Sequence, residues 1–199
     1  LEQYFESKKK LFSDYLMKSR KERRFAVTND DDPKGKEIVK GVDLPVIRYG
    51  KSPSCDITAD QVISSFEGLS SRIRTPKGNF SVHSKLIGDF NLYNILAAVA
   101  VGVGMDVPLE TIREGLEGLE GVSGRFEKVE NKRGIHIIVD YAHTPDSLEN
   151  VLKTVGEFAE KKIFVIVGCG GDRDKTKRPI MAEIACSLET DAIFTSDNA

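Results

Sequence analysis

Cysteine is scarce. Three residues, Cys55, Cys169 and Cys186, stand far apart in a chain of 199. Odd in number and without paired ligand spacing, they exclude a disulfide framework and a cysteine-built zinc site, and they make a reducing, cytoplasmic compartment the expectation. An excess of charge of one sign is missing too. With 29 Lys+Arg against 31 Asp+Glu the formal net charge is -2, so no global field recruits nucleic acid or an anionic membrane, and neither is expected as a partner. Long apolar runs are also lacking: the longest, Leu92 to Val103, is interrupted by Tyr93, Asn94 and Gly102 and is too short to cross a bilayer. What is present is 40% hydrophobic and 30% charged residues, enough to bury a core in one or two domains. The chain opens on Leu1 rather than Met and stops just after an apolar run, Asp191 to Thr195, that needs neighbours to cover it. The expectation is a fragment of a longer protein.

Apolar positions at Leu1, Tyr4, Phe5, Leu11, Phe12, Tyr15 and Leu16 predict a helix over residues 1 to about 24 with one buried face. Its basic residues, Lys8, Lys9, Lys10, Lys18, Arg20, Lys21, Arg23 and Arg24, read either as a solvated face or as a face with one special lysine. Phe25 to Thr28 and Pro45 to Tyr49 read as strands, with a turn-rich loop from Asn29 to Gly35 between them. Three short runs, Gln61 to Phe66, Leu69 to Arg74 and Phe80 to His83, are separated by Glu-Gly and Pro-Lys-Gly-Asn turns and predict an antiparallel meander. An apolar helix follows from Leu92 to about Val103, and Pro108 opens another. Glycine-rich residues Gly118 to Gly124 mark a domain boundary. Beyond it, strand Ile135–Val139, helix Pro145 to about Glu160, strand Ile163–Val167, helix Pro179–Leu188 and strand Asp191–Thr195 spell βαβαβ. Strands this continuously apolar predict a parallel sheet covered by helices on both faces.

Ligands of such sheets collect beyond the strand C-termini. The polar groups gather there, in Asp140-Tyr141-Ala142-His143-Thr144-Pro145-Asp146 and in Gly168-Cys169-Gly170-Gly171-Asp172-Arg173-Asp174. The second loop lacks the third glycine of a dinucleotide fingerprint, Arg173 standing in its place, but with Lys175, Lys177 and Arg178 it suits an anion, or else is simply solvated. Gly50-Lys51-Ser52 looks like the end of a P-loop, yet Pro45 occupies the position where that motif needs its first glycine, and the reading is rejected. Asn91 and Asn94 lie on one side of a helix start; Asn91 reads as its cap, whereas Asn94 offers both a donor and an acceptor to the edge of a base. Asp140 and His143 read as a hydroxyl acceptor and a phosphate-facing donor, or as Asp140 satisfying loop N–H groups while Thr144 caps the next helix.

Taken in order, Gly88-Asp89-Phe90-Asn91-Leu92-Tyr93-Asn94, Gly124-Arg125-Phe126-Glu127, Asp140-Tyr141-Ala142-His143-Thr144-Pro145-Asp146 and the Gly168 to Pro179 loop resemble the Mur ligase family of peptidoglycan assembly, in its MurE branch. Tyr4 to Phe12 and Asn29-Asp30-Asp31-Asp32-Pro33 extend the resemblance along the whole chain. It implies an α/β fold: residues 1–123 as the second half of a central ATP-binding domain, and 124–199 as the first half of a Rossmann-like, amino-acid-binding domain. It also implies an ATP- and magnesium-dependent ligase that adds meso-diaminopimelate or L-lysine to UDP-N-acetylmuramoyl-L-alanyl-D-glutamate and works as a cytoplasmic monomer when complete. The family's P-loop and magnesium-binding histidine lie upstream, so the fragment alone is expected to be inactive.

By position in the family pattern, Lys8 matches a lysine that is carbamylated into a magnesium ligand, with Lys9 and Lys10 as neighbouring candidates. Asn91 and Asn94 match adenine-side residues, Arg125 an arginine reaching ATP, Asp140 a ribose-binding aspartate and His143 a nucleotide-proximal residue. Arg173 and Asn198 match residues that hold the far end of diaminopimelate. The alternatives are a MurE-like scaffold without activity and a sister ligase such as folylpolyglutamate synthase.

Overall fold

The computed structural model describes residues 2–170, 174–187 and 190–196. It divides into two compact units, Leu1–Glu120 and Gly121–Ala199.

In the first unit, α1 (Glu2–Lys10) runs into a wider π-helical stretch at Leu11–Leu16. Helical structure ends by Lys18 instead of continuing to residue 24. The expected buried stripe is not buried either. Among the described residues of the stripe only Phe5 is buried, with the Lys34 ammonium 4.4 Å over its ring; Phe12 and Leu16 are half-buried, and Tyr4, Leu11 and Tyr15 are exposed. The basic run from Lys18 to Arg24 offers no apolar side chain that could extend the packing, so the helix has nothing to gain by continuing.

Strand β1 (Ala26–Asn29) pairs in parallel with β2 (Val46–Tyr49). The loop expected between them contains a helix, α2 (Pro33–Ile38). The Asp32 carboxylate accepts from the Lys34 N–H at 2.8 Å and Pro33 takes the first turn, a start signal the turn-rich composition concealed. Gly35 lies so close to β1 that a Cβ there would come within 1.9 Å of the Asn29 carbonyl oxygen. Gly35→Ala should therefore push α2 off the strand and cost about 1–3 kcal/mol, read as a lower denaturant midpoint; an unchanged midpoint would refute the close approach.

Strands β3 (Thr58–Ser65), β4 (Gly68–Thr75) and β5 (Gly78–Ser84) form the expected meander, antiparallel throughout, with a bulge between Asp60 and Ile63. Against it and the β1–β2 pair packs α3 (Asp89–Gly104), whose Leu92, Ile95, Leu96, Val99 and Ala100 are all but inaccessible. This helix is apolar around most of its circumference because it is buried around most of it. Helix α4 (Leu109–Glu117) follows, with Pro108 one residue earlier than expected, at the cap.

The second unit departs from the expected βαβαβ sheet at its first strand. Only Ile138 and Val139 form β7, and they pair antiparallel with β6 (Glu127–Lys128). The parallel pairing joins β8 (Ile163–Cys169) to β9 (Thr190–Ser196). Helices α5 (Pro145–Phe158) and α6 (Lys177–Ser187) cover one face, where Leu148, Leu152, Met181 and Ala185 meet Val165 and Val167. The alternate residues Phe164 and Ile166 are 64% and 71% exposed. Continuous apolarity in β8 therefore does not mean, among the described residues, cover on both faces. No helix among them is long and apolar enough to cross a membrane.

Candidate functional site

The first cluster sits at the start of α3. Gly88, with φ of 91°, takes the cap position that sequence reading gave to Asn91. Asn91 is instead inside the first turn and buried; its Nδ2 donates to the Ile87 carbonyl at 2.8 Å, and its Oδ1 accepts from Asn94 Nδ2 at 3.0 Å. Asn94 itself is exposed. The pair thus has an inner member that is anchored and an outer member that it orients. An amide held in this way presents a fixed acceptor and donor to a planar polar edge.

One residue before Asn94, the Tyr93 hydroxyl donates to Asp31 Oδ2 at 2.9 Å, and the Lys51 backbone N–H donates to the same oxygen at 2.6 Å. The Ser52 backbone N–H is a further donor to this carboxylate. Gly50-Lys51-Ser52, rejected as a P-loop, therefore grips an anion after all: the chain's own aspartate. A Cβ on Gly50 would lie 2.8 Å from that carboxylate, so glycine is what lets the backbone approach. The Lys51 ammonium turns away to Asp89 at 2.5 Å.

Desolvation pushes the Asp31 pKa up, but the hydrogen bonds from Lys51, Tyr93 and Ser52 together outweigh it and hold the carboxyl below its usual value. The Tyr93 hydroxyl, partly desolvated and bound to an anion, is pushed up to about 12. A carboxyl whose folded pKa lies below its unfolded one stabilises the fold above the unfolded pKa, and that contribution fades as pH falls through the folded value. Asp31→Asn should accordingly be less stable than wild type near neutrality and converge with it at a pH below the ordinary carboxylate range. Chemical denaturation at both pH values checks this, and a deficit of equal size at both would refute it.

Lys8 lies on the exposed side of α1, its ammonium 4.5 Å from the centroid of the Tyr4 ring. That is the contact of a cation. Among the described residues no group of three or more His, Cys, Asp and Glu side chains is placed to hold a metal ion. The unmodified Lys8 ammonium has no oxygen to offer a magnesium ion; a carbamate formed on it would supply one.

The second cluster belongs to the second unit and is built on two touching turns. Gly124 has φ of 68° and Phe126, a buried non-glycine residue, 47°, a conformation that costs on the order of 1 kcal/mol or more outside glycine. Two cross-links hold it. The Phe126 N–H donates to Asp140 Oδ2 at 2.7 Å, and the Tyr141 N–H donates to the Gly124 carbonyl at 2.8 Å. Glu127 adds a third, accepting from the Gly124 N–H at 2.7 Å. Arg125, between the two constrained residues, is exposed, with its guanidinium 5.4 Å from the Tyr141 ring centroid. The Tyr141 ring also meets that of His143 at 5.1 Å, and His143 Nδ1 lies 3.0 Å from the Tyr141 carbonyl oxygen. Arg125, Asp140 and His143 are thereby brought together. Thr144 caps α5 through a reciprocal box with Ser147, as the sequence suggested.

At the C-terminal ends of β8 and β9 a cavity of about 550 Å³ is lined by Val167, Cys169, Arg178, Met181, Thr195 and Ser196 among others. Arg178 Nη2 donates to the Gly170 carbonyl at 3.2 Å. Arg173 and Asn198, the expected amino-acid contacts, lie outside the described residues. The sequence reading also missed Asp31, Tyr93 and the Phe126 backbone; a run of three aspartates gives no sign of which one turns inward to meet donors distant in sequence.

Residues 1–102 match the Mur ligase middle domain, and residues 124–199 match the Mur ligase glutamate ligase domain. The chain belongs to the Mur ligase family. Over all 199 of its residues it is 51% identical to a UDP-N-acetylmuramoyl-L-alanyl-D-glutamate--2,6-diaminopimelate ligase of Geobacter metallireducens, covering 39% of that protein. Among solved structures it resembles a ligase of the same name, with a TM-score of 0.66 and 30% identity, over 99% of this chain and 40% of that one. A folylpolyglutamate synthase from Thermotoga maritima has the same fold, with a TM-score of 0.71 at 20% identity over 88% of this chain and 41% of that one. The chain spans about two fifths of the length of the curated relatives it matches.

Proposed function

We propose that the chain is part of a MurE-type ligase that joins a diamino acid, meso-diaminopimelate or L-lysine, to UDP-N-acetylmuramoyl-L-alanyl-D-glutamate in the cytoplasm, at the expense of ATP and as a monomer. Residues 1–123 belong to its ATP-binding domain and 124–199 to its amino-acid-binding domain. The observation that carries this reading is the 51% identity to a diaminopimelate ligase sustained along the full 199 residues.

The reaction runs in two steps. The dipeptide carboxylate attacks the γ-phosphorus of ATP, forming an acyl phosphate and releasing ADP. The diamino acid's amine then attacks the acyl carbon, phosphate leaves with the bonding pair, and the amine gives up a proton. In this reading Asn94, oriented by Asn91, meets the adenine edge, and Asp140 accepts from a ribose hydroxyl. Arg125 reaches the phosphates, where a guanidinium offsets developing charge, with His143 close to the same nucleotide. Arg173 and Asn198 take the far end of the diamino acid. The constrained turn supports the role of Arg125: a guanidinium flanked by two locked residues gives up less freedom on binding than one on a loose loop.

The complete ligase decides it. Phosphate release from ATP should require both UDP-dipeptide and diamino acid, and Arg125→Ala should weaken ATP use by roughly tenfold, about the worth of one charged contact. A complete protein that releases no phosphate with either diamino acid would instead support a scaffold role, and release with a folate substrate would support the sister ligase.

A further inference from the structure

The grip on Asp31 joins three segments that are distant in sequence. Asp31 follows the end of β1, Lys51 and Ser52 follow the end of β2, and Tyr93 stands in the second turn of α3. Asn91 is tied on its own side to the Ile87 carbonyl. Residues two apart on a helix point about 200° apart around its axis, so the Asn91 bond, which closes the helix start on itself, and the Tyr93 bond, which ties α3 to a segment 62 residues away, lie on nearly opposite sides of it. Asn94 projects about 60° from Asn91, between them. The apolar seat of Leu92, Ile95, Leu96, Val99 and Ala100 holds α3 by contacts that have no preferred direction; the Tyr93–Asp31 bond adds a directional restraint on the rotation of its first turns. A shift of about 1 Å in a positioned group is enough to matter for binding and catalysis.

We propose that Asp31, acting through Tyr93, is a positioning residue for Asn94: it sets the rotation of the first turns of α3 and with it the direction of the amide that meets the nucleotide base. This rests on the nucleotide reading given above. The Gly50-Lys51-Ser52 backbone serves the same end, holding the carboxylate by N–H groups so that its oxygen faces the Tyr93 hydroxyl.

The test uses the complete ligase and steady-state kinetics. Tyr93→Phe and Asp31→Asn should each raise the KM for ATP by roughly three- to tenfold, the worth of about one hydrogen bond. kcat and the KM for the UDP-sugar should stay within about twofold of wild type. Each variant should also discriminate less between ATP and GTP, a loss that general destabilisation does not produce. Unchanged ATP KM and unchanged ATP-over-GTP preference in both, with native circular dichroism, overturn the proposal. If Asp31→Asn does not fold, Tyr93→Phe decides alone, since it keeps the ring and its packing. Asn94→Ala separates the two levels of inference. An ATP KM unaffected by Asn94→Ala removes the nucleotide reading and the proposal with it; one raised by Asn94→Ala but not by the other two variants removes only the positioning role.

Discussion

Asp140→Ala in the complete ligase is expected to raise the KM for ATP by well over the roughly tenfold assigned to loss of one charged contact, because two contributions fall together. In the proposed complex the carboxylate accepts from a ribose hydroxyl. In the protein it accepts from the Phe126 N–H at 2.7 Å, and Phe126 is buried at a φ of 47°. Without that acceptor the strained turn loses a bond that holds it, and Arg125 loses the fixed backbone on which its guanidinium stands. Asp140→Asn separates the two contributions. Its side-chain oxygen can still accept from Phe126, so the turn should persist while the charge is lost. The expected order in ATP KM is wild type, then Asp140→Asn, then Asp140→Ala, with only the alanine variant losing thermal stability. Equal kinetics in the two variants would show that the Phe126 bond has no part in placing Arg125, and ATP kinetics unchanged in both would remove Asp140 from the nucleotide site.

What could be read from the chain beforehand was whatever depends on near neighbours. The meander was legible because its turns, Glu67-Gly68 and Pro76-Lys77-Gly78-Asn79, sit between runs of strand length, and α5 because Thr144-Pro145 is a cap followed by a first-turn residue. The burial of α3 matches a run that is apolar but for Tyr93, Asn94 and Gly102. What was not legible depends on partners far along the chain. Nothing in Ile135 to Val139 says that two of its residues pair antiparallel with Glu127 and Lys128, and the same apolar run would serve in a parallel sheet. The two clusters divide in the same way. Asn91, Asn94, Arg125, Asp140 and His143 stand out by residue type and by family pattern. Their supports do not, because the Asp31 carboxylate finds its donors 20 and 62 residues away. The positive φ of Phe126 belongs to a residue that composition would never place there. Tyr93 and Tyr141 carry no signal of their own for a related reason: what a tyrosine does depends on the partner that its hydroxyl or ring meets, here Asp31 and Arg125.

Lys8 carries the other large expected effect. As it stands the side chain is a cation over the Tyr4 ring, and a cation binds no metal. Carbamylation changes both facts. The unprotonated amine attacks carbon dioxide, a nitrogen–carbon bond forms, a proton is released, and the product is an anion with oxygen ligands of the kind a hard cation prefers. The same change removes the attraction to the negative face of Tyr4, so the modified side chain leaves the ring instead of resting on it. Lys8→Ala should therefore lower the turnover of the complete ligase by on the order of 100-fold, the scale of losing one charged group at a reacting centre. Added acetate or formate should restore part of it by supplying the missing carboxylate. Lys9→Ala and Lys10→Ala, one and two positions further around the helix, should lose little and gain nothing from the added acid. Full activity in Lys8→Ala, or rescue confined to the Lys9 or Lys10 variant, would move the role off Lys8, and a loss in Lys8→Ala that no carboxylate relieves would leave it the role of a simple cation.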